Sequence, residues 1–595
     1  MDVSLSQTNL RRNMREALVG GNRERRCSVN LTDSTKSLIR LLVVLVLERV
    51  AFHFITDTID SFTYFYLNFS FPSSTTTYLI FSGSALLLAP FFGVLTDRKT
   101  GCMPTLITAF AFYLIGSSLL LTCTIQTVIH SGTKPSGSHL NVMRTLYIVG
   151  LIIVTLSRSA VRAALMPCMV EQLSDGHAKR STLIAFCSWA FVGINVGSVL
   201  AIVPGGYLAI TGAFTIDGHL YSSGFFWLSL ATCCVLLLAF VILIIWRKTY
   251  KSPCPRQRLD EATVPSLPDI LKTACGCYRD SSRPAYYDPD ALPIRNKEDR
   301  LQYEASIERK KLALLVPALS TMIVFFASYM QLEGSYKVQA LHLDLTFTTA
   351  KEASGNCSIV SNEVVFLIRP SIAQALTAAC VLLTLAAVPT VIRPCYEKRF
   401  KKELKMMTRI QWGMSVSVLG STCAMILEIV RYHSTPIKAF CLTIGGKSFV
   451  FAYSSISALW QIPQYCLLGM SAAFCVVAAA EFVLSRAPSR FRCTAFGCFW
   501  LAWGLGHYVG LAIYYTMSRA KLYYSETSHT KQGTGIDIGA LTNQETECNP
   551  WAYYFAFTFL SITNLVAFTL VKRRHRDIQT IDRPHRSVQL TAVCM

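Results

Sequence analysis

Charge is scarce in this chain. Of 595 residues only 15% are Asp, Glu, Lys or Arg, and the acids are outnumbered by the bases, 35 to 56. A soluble protein of this length divides into several domains coated with far more charge, so that class is excluded. Cysteines in a pairing pattern are missing too. The 21 cysteines are scattered, several inside apolar runs such as ATCCVLLL at 231–238. There they read as small buried hydrophobes, not as a disulfide framework. The CGC at 275–277 has no second ligand pair, so no zinc site and no other metal is expected. No nucleophile–base set or phosphate loop stands out, so the chain is not read as an enzyme. The opening residues, MDVSLSQTNLRRNMREALVGGNRERRCSVNLTDS, hold no apolar core, which argues against a signal peptide.

What is present is apolar sequence in long blocks: 52% of residues are hydrophobic. About 20 apolar residues cross the ~30 Å of hydrocarbon as a helix, and lipid leaves the backbone no other partner. Twelve spans are expected, at 37–57, 76–96, 103–124, 144–170, 182–210, 223–246, 311–331, 371–393, 410–430, 462–485, 493–517 and 550–571. Alternate connections are basic: DRKTG (97–101), HAKR (177–180), the 247–310 loop, EKRFKKELK (397–405), SRFR (489–492) and the KRRHR tail (572–576). That asymmetry puts those loops and both termini in the cytosol. The net charge of +21 is therefore read as basic cytosolic loops rather than nucleic-acid binding. Sequons at Asn68 and Asn356 fall in loops assigned outside and are glycosylation candidates, whereas Asn30 falls inside. The organisation is then a cytosolic arm (1–36), a six-helix bundle (37–246), a basic Pro-rich linker (247–310), a second six-helix bundle (311–571) and a cytosolic tail (572–595). Six plus six helices place a substrate between two bundles near the midplane.

Ionisable residues inside these spans are costly in lipid and point to a pathway or a site. The first span reads SLIRLLVVLVLERVAFHFIT, with Glu48 and Arg49 adjacent. Arg49 and His53, four residues apart, share one helical face. Arg158 and Arg162 repeat that spacing on the fourth span, and Arg158 is expected to snorkel or pair locally. Glu481 lies on the tenth span, where an ion pair with Arg49 or Arg162 is one reading. Glu428, near the end of the ninth, reads as a satisfied interfacial group. Between the second and third spans, GVLTDRKTG carries Gly93, Asp97, Arg98 and Gly101: a close helix approach, a carboxylate for a neighbouring helix N-terminus, and a tight turn.

Gly93–Gly101 resembles the G-x-x-x-D-R-x-x-G turn of the major facilitator superfamily. The charged segments resemble the proton-dependent oligopeptide transporters, solute carrier family 15. Their E-x-x-E-R first helix is matched by Glu48 and Arg49, with Leu45 at the first Glu and His53 at a tyrosine. SRSAVRAALMPCMVEQL (157–173) is similar to the fourth-helix signature of the peptide/histidine branch, with Arg162 for its Lys and Pro167 in place. WAFVGINVGSVL (189–200) resembles the fifth helix, with Phe191 for Tyr and Asn195 in I-N-x-G. FFASYMQLEGSYKVQALHL (325–343) resembles the seventh, with Phe326 for Trp and Gln331 kept. WQIPQYCLLGMSAAF and AAAEFVLSRAP (460–488) resemble the tenth, keeping Glu481 but holding Ala472 at the other carboxylate.

The resemblance implies an all-α polytopic membrane protein of the major facilitator fold, twelve helices in two bundles, working as a monomer in the bilayer. It implies a proton-coupled symporter of di- and tripeptides or related zwitterions such as histidine, in the plasma or an endolysosomal membrane. No cofactor is needed beyond the proton. Arg49 and Arg162 would take the substrate carboxylate, Glu481 its ammonium, and Asn195 an amide. Phe191 and Phe326 would line side-chain pockets, with His53 and Gln331 completing the site. Glu48, His53 and Glu481 are the proton-coupling candidates. A family histidine of the second helix aligns with Leu79. Without it, Leu45's Glu and Ala472's Glu, two alternatives stay open: a non-transporting sensor or scaffold, and an organic-anion transporter without proton coupling.

Overall fold

The computed structural model describes residues 31–69, 71–129, 137–173, 180–211, 213–216, 219–222, 224–250, 308, 310–332, 334–344, 370–434, 437–444, 447–523 and 549–581. The arm at 1–30, most of the linker, Asn356 and the tail beyond 581 lie outside the described residues.

Twelve long helices carry the fold: α1 (Leu31–Phe65), α2 (Phe71–Leu87, continued by a short helix Ala89–Leu95), α3 (Cys102–Ile129), α4 (Gly137–Leu173), α5 (Arg180–Thr211), α6 (Gly224–Ile245), α7 (Val316–Tyr329), α8 (Pro370–Ala387), α9 (Met406–Tyr432), α10 (Ile462–Arg486), α11 (Arg492–Arg519) and α12 (Trp551–Ile581). Each overlaps one of the expected spans. Among the described residues eleven stretches are long and apolar enough to cross a membrane. The first helix, α1, is 35 residues long but is interrupted by Arg40, Glu48, Arg49 and Asp57. Its charges, not its length, set it apart. Two antiparallel hairpins add to the helices, Ala213–Ile216 with His219–Ser222 and Ile437–Ile444 with Lys447–Ser454. Both lie between spans, a detail absent from an all-α expectation.

The packing has the same pattern twice. In the first half α1 packs on α5 and α6, α3 on α4 and α6, and α2 on α4. In the second half α7 packs on α11 and α12, α9 on α10 and α12, and α8 on α10. The halves meet along two seams, α2 against α11 and α5 against α8. This is a two-bundle, major-facilitator-type membrane fold. Helix α10 is buried almost throughout, from Gln464 to Leu484, because it faces its own bundle and the other.

The α2–α11 seam is drawn tight at the Asp97 end. A Cβ on Gly93 would come within 2.6 Å of the Cys493 carbonyl oxygen, so only glycine allows this backbone contact. Asp97 accepts from the backbone N–H groups of Cys493 at 3.3 Å and Thr494 at 2.8 Å, and from the Thr494 hydroxyl at 2.8 Å. The carboxylate thus meets unsatisfied donors at the start of α11. Gly101 ends the turn at φ +79°, a left-handed conformation that glycine adopts without strain. Arg98 is exposed. The far end of the seam is tied by Thr76 to Tyr515 at 2.6 Å and Ser84 to Tyr508 at 2.6 Å. We expect Gly93→Val to overpack this seam and destabilise the protein by roughly 1–3 kcal/mol. Thermal unfolding of purified protein reads this, and an unchanged midpoint would contradict it.

Candidate functional site

A cleft of about 820 Å³, counting the part open to solvent, lies between the bundles. Its walls come from α1, α2, α5, α8, α10 and α11, from the end of α7 and from the segment after it. Of the expected site residues, Arg49, His53, Phe191 and Asn195 line it.

Ser198, one turn past Asn195's end of α5, organises this wall. Its hydroxyl donates to the Ile194 carbonyl at 2.9 Å. The oxygen also accepts from Arg49 Nε at 3.0 Å and lies 3.0 Å from His53 Nε2. The Arg49 charge also lies 5.3 Å from the centre of the Phe52 ring. Asn195 donates to the Phe191 carbonyl at 2.8 Å, leaving its amide oxygen as an acceptor at the cleft.

The other expected residues stand behind this surface. Glu48 is fully buried and sits 3.5 Å from Arg158 Nε and 3.5 Å from Arg162 Nη2. Arg158 therefore neither snorkels nor pairs locally: it bridges α4 to α1, with its guanidinium 3.1 Å from the Phe52 ring centre. Arg162 lies over the Trp500 ring of α11 at 4.8 Å. Glu481 has a different arginine as its close ion-pair partner from those expected. Arg409 of α9 takes it, Nη1 to Oε2, at 2.8 Å inside the second bundle. Glu428, near the end of α9, is fully buried and satisfied, held by Arg431 at 2.8 Å and by Gln339 Nε2 at 2.9 Å. Phe326 is buried and stacks on Trp503 at 4.4 Å, and it is Trp503 that reaches the cleft. Gln331 is tied up by Ala327, Ser335 and Tyr553. Leu45 is buried in the core, and Ala472 lines the cleft. Among the described residues no cluster of ligands suits a metal ion.

Residue spacing alone missed Arg409, Ser198, Asp57, Lys337 and Trp503. Arg409 carried a usable signal, a cation at the start of an apolar run that needs a carboxylate nearby. Asp57 carried another, one turn beyond His53. At the remaining end of α1, Asn68 is exposed with φ 51°, and Arg144 donates to the Leu67 and Asn68 carbonyls at 2.8 and 3.1 Å.

Two bundles enclosing a charged cleft define a membrane transporter, not an enzyme. Residues 104–530 match the POT family, PTR2, and the chain belongs to that family. It is 25% identical to solute carrier family 15 member 3 of Mus musculus over 500 residues, which covers 79% of this chain and 81% of the relative. The Rattus norvegicus protein of the same name is 24% identical, with 79% and 81% covered. Among solved structures, an auto-inhibited POT family peptide transporter superposes with a TM-score of 0.57 at 15% identity, covering 91% of this chain and 97% of that one. At such identity the likeness speaks for the fold.

The Arg409–Glu481 pair yields a thermodynamic expectation. Glu481→Leu alone strands a buried guanidinium and costs about 3–5 kcal/mol, while Glu481→Leu with Arg409→Met costs much less. A double-mutant cycle on unfolding midpoints checks this; simple additivity would contradict the pairing.

Proposed function

We propose that the protein carries small peptides or related zwitterions, histidine among them, across the membrane by alternating access. One observation supports this most: the inter-bundle cleft presents Arg49, held by Ser198, beside His53, Asn195 and Phe191. A guanidinium takes a carboxylate in a bidentate fork, and an amide oxygen at Asn195 accepts a peptide N–H. Arg162, Phe326, Gln331 and Glu481 act from behind, Arg162 through Glu48 and Phe326 through Trp503.

Proton coupling belongs to the same proposal. Glu48 and Glu481 are engaged with arginines, so His53 is the candidate on the cleft surface. Exchange of the Arg409–Glu481 pair during the cycle would bring Glu481 into play. Within the family we place the chain beside the peptide/histidine branch, with the lost carboxylates at Leu45 and Ala472 characteristic of member 5 of solute carrier family 15. We read it as a monomer with both termini in the cytosol, in the plasma or an endolysosomal membrane. Arg49 and Lys337 on the cleft favour organic anions as a second reading.

Uptake of labelled di- and tripeptides into proteoliposomes at pH 5.5 and 7.5 tests the main reading. Peptide uptake that is stimulated by acid and lost in Arg49→Ala is expected. Uptake of organic anions alone would favour the second reading, and normal transport by Arg49→Ala would overturn the site. For orientation, endoglycosidase should shift the mobility of the cell-expressed protein, and Asn68→Gln with Asn356→Gln should abolish the shift. A shift that survives both substitutions would contradict the assignment.

A further inference from the structure

Arg49, His53 and Asp57 all line the cleft, and they follow one another at one-turn spacing along α1. Residues at i, i+4 and i+8 lie on one helical face. The stripe therefore runs from a cation through an imidazole to a carboxylate over about 12 Å of helix axis, at ~1.5 Å per residue. Arg49 and His53 are anchored on Ser198. Asp57 is seated against α5 farther along, where a Cβ on Gly205 would meet its Oδ2 at 3.0 Å.

Among the described residues the opposite wall offers no carboxylate. Helix α10 presents Ala472, Val476 and Val477 to the cleft, while Glu481 is engaged by Arg409 away from it. Asp57 is the acidic side chain among the described residues lining the cleft. Lys337 enters from the other half, its ammonium 5.5 Å from the centre of the Tyr78 ring. That contact compensates the lysine in part.

We infer that Asp57 receives the ammonium of a zwitterionic substrate whose carboxylate is held by Arg49, so that the substrate lies along α1 with both charges read by one helix. This rests on the peptide reading above and goes beyond it, since it moves ammonium recognition from the second bundle to the first. It also sets a length. An extended chain spans ~3.3–3.6 Å per residue, so three residues fit a stripe of about 12 Å better than one or two. His53, midway, faces the substrate's central amide.

The test is binding of trialanine, N-acetyl-trialanine and dialanine to the purified full chain, by calorimetry. In the wild type, acetylation should weaken trialanine by about tenfold or more, the scale of a hydrogen bond to a charged group, and dialanine should bind less tightly than trialanine. Asp57→Asn should reduce trialanine to the level of its acetylated form and leave the acetylated form unchanged. Asp57→Glu should restore part of the difference. An acetylation penalty that survives Asp57→Asn overturns the assignment and leaves peptide binding standing. Equal loss of both ligands in Asp57→Asn also overturns it, because a merely structural role gives that result. Should Asp57→Asn fail to fold, the wild-type series and Asp57→Glu decide: no acetylation penalty, or no preference for three residues, overturns the inference. No binding of any peptide by the wild type overturns both this inference and the peptide reading.

Discussion

A single carboxylate stands between two guanidiniums at the centre of the first bundle, and much of the site depends on it. Glu48 lies 3.5 Å from both Arg158 and Arg162, all three nearly inaccessible. Charges taken from water must be compensated or they are expelled. One acid cannot neutralise two bases, and the rings of Phe52 and Trp500 supply the remainder through their faces. The arrangement ties α1 to α4 and, through Trp500, to α11 of the other bundle. Arg49, the next residue on α1, lines the cleft, where a substrate carboxylate can meet it.

The two-fold repetition of the packing explains where that cleft lies. Each half buries its own ion pair: Glu48 with its arginines in the first, Arg409–Glu481 in the second. Each half thus keeps its buried carboxylate beside its own arginines. The halves touch along α2–α11 and α5–α8, and the α2–α11 seam is held by Asp97 at the start of α11 and by hydroxyl pairs farther along. Between the seams remains the space in which Ser198, Arg49 and His53 form a preorganised polar wall. A group already fixed by its neighbours loses little entropy on binding.

The sequence made the fold legible because lipid permits few solutions. Apolar runs located twelve helices, and lysine and arginine placement paired them with loops. The Gly93–Gly101 turn could be read locally because its chemistry is local. The site was legible only on the face of α1 and α5, where Arg49–His53 and Phe191–Asn195 follow helical spacing. Partners were not legible, because pairing across helices depends on register between elements. Glu481 meets Arg409, 72 positions away, and Arg158 meets Glu48 across 110 residues. Phe326 was placed at the right depth but one layer too far forward, because Trp503 packs in front of it. The hairpins at 213–222 and 437–454 lie in connecting segments, where no periodicity of lipid exposure marks them.

The central claim is that substrate sits between the bundles against the Arg49–His53 wall rather than elsewhere in the protein. A cryo-electron microscopy structure of the full chain with trialanine present addresses it directly. The account predicts peptide density between α1, α5, α8 and α10, with the carboxylate in contact with the Arg49 guanidinium. Density at another location, or a peptide in the cleft with its carboxylate away from Arg49, would contradict it.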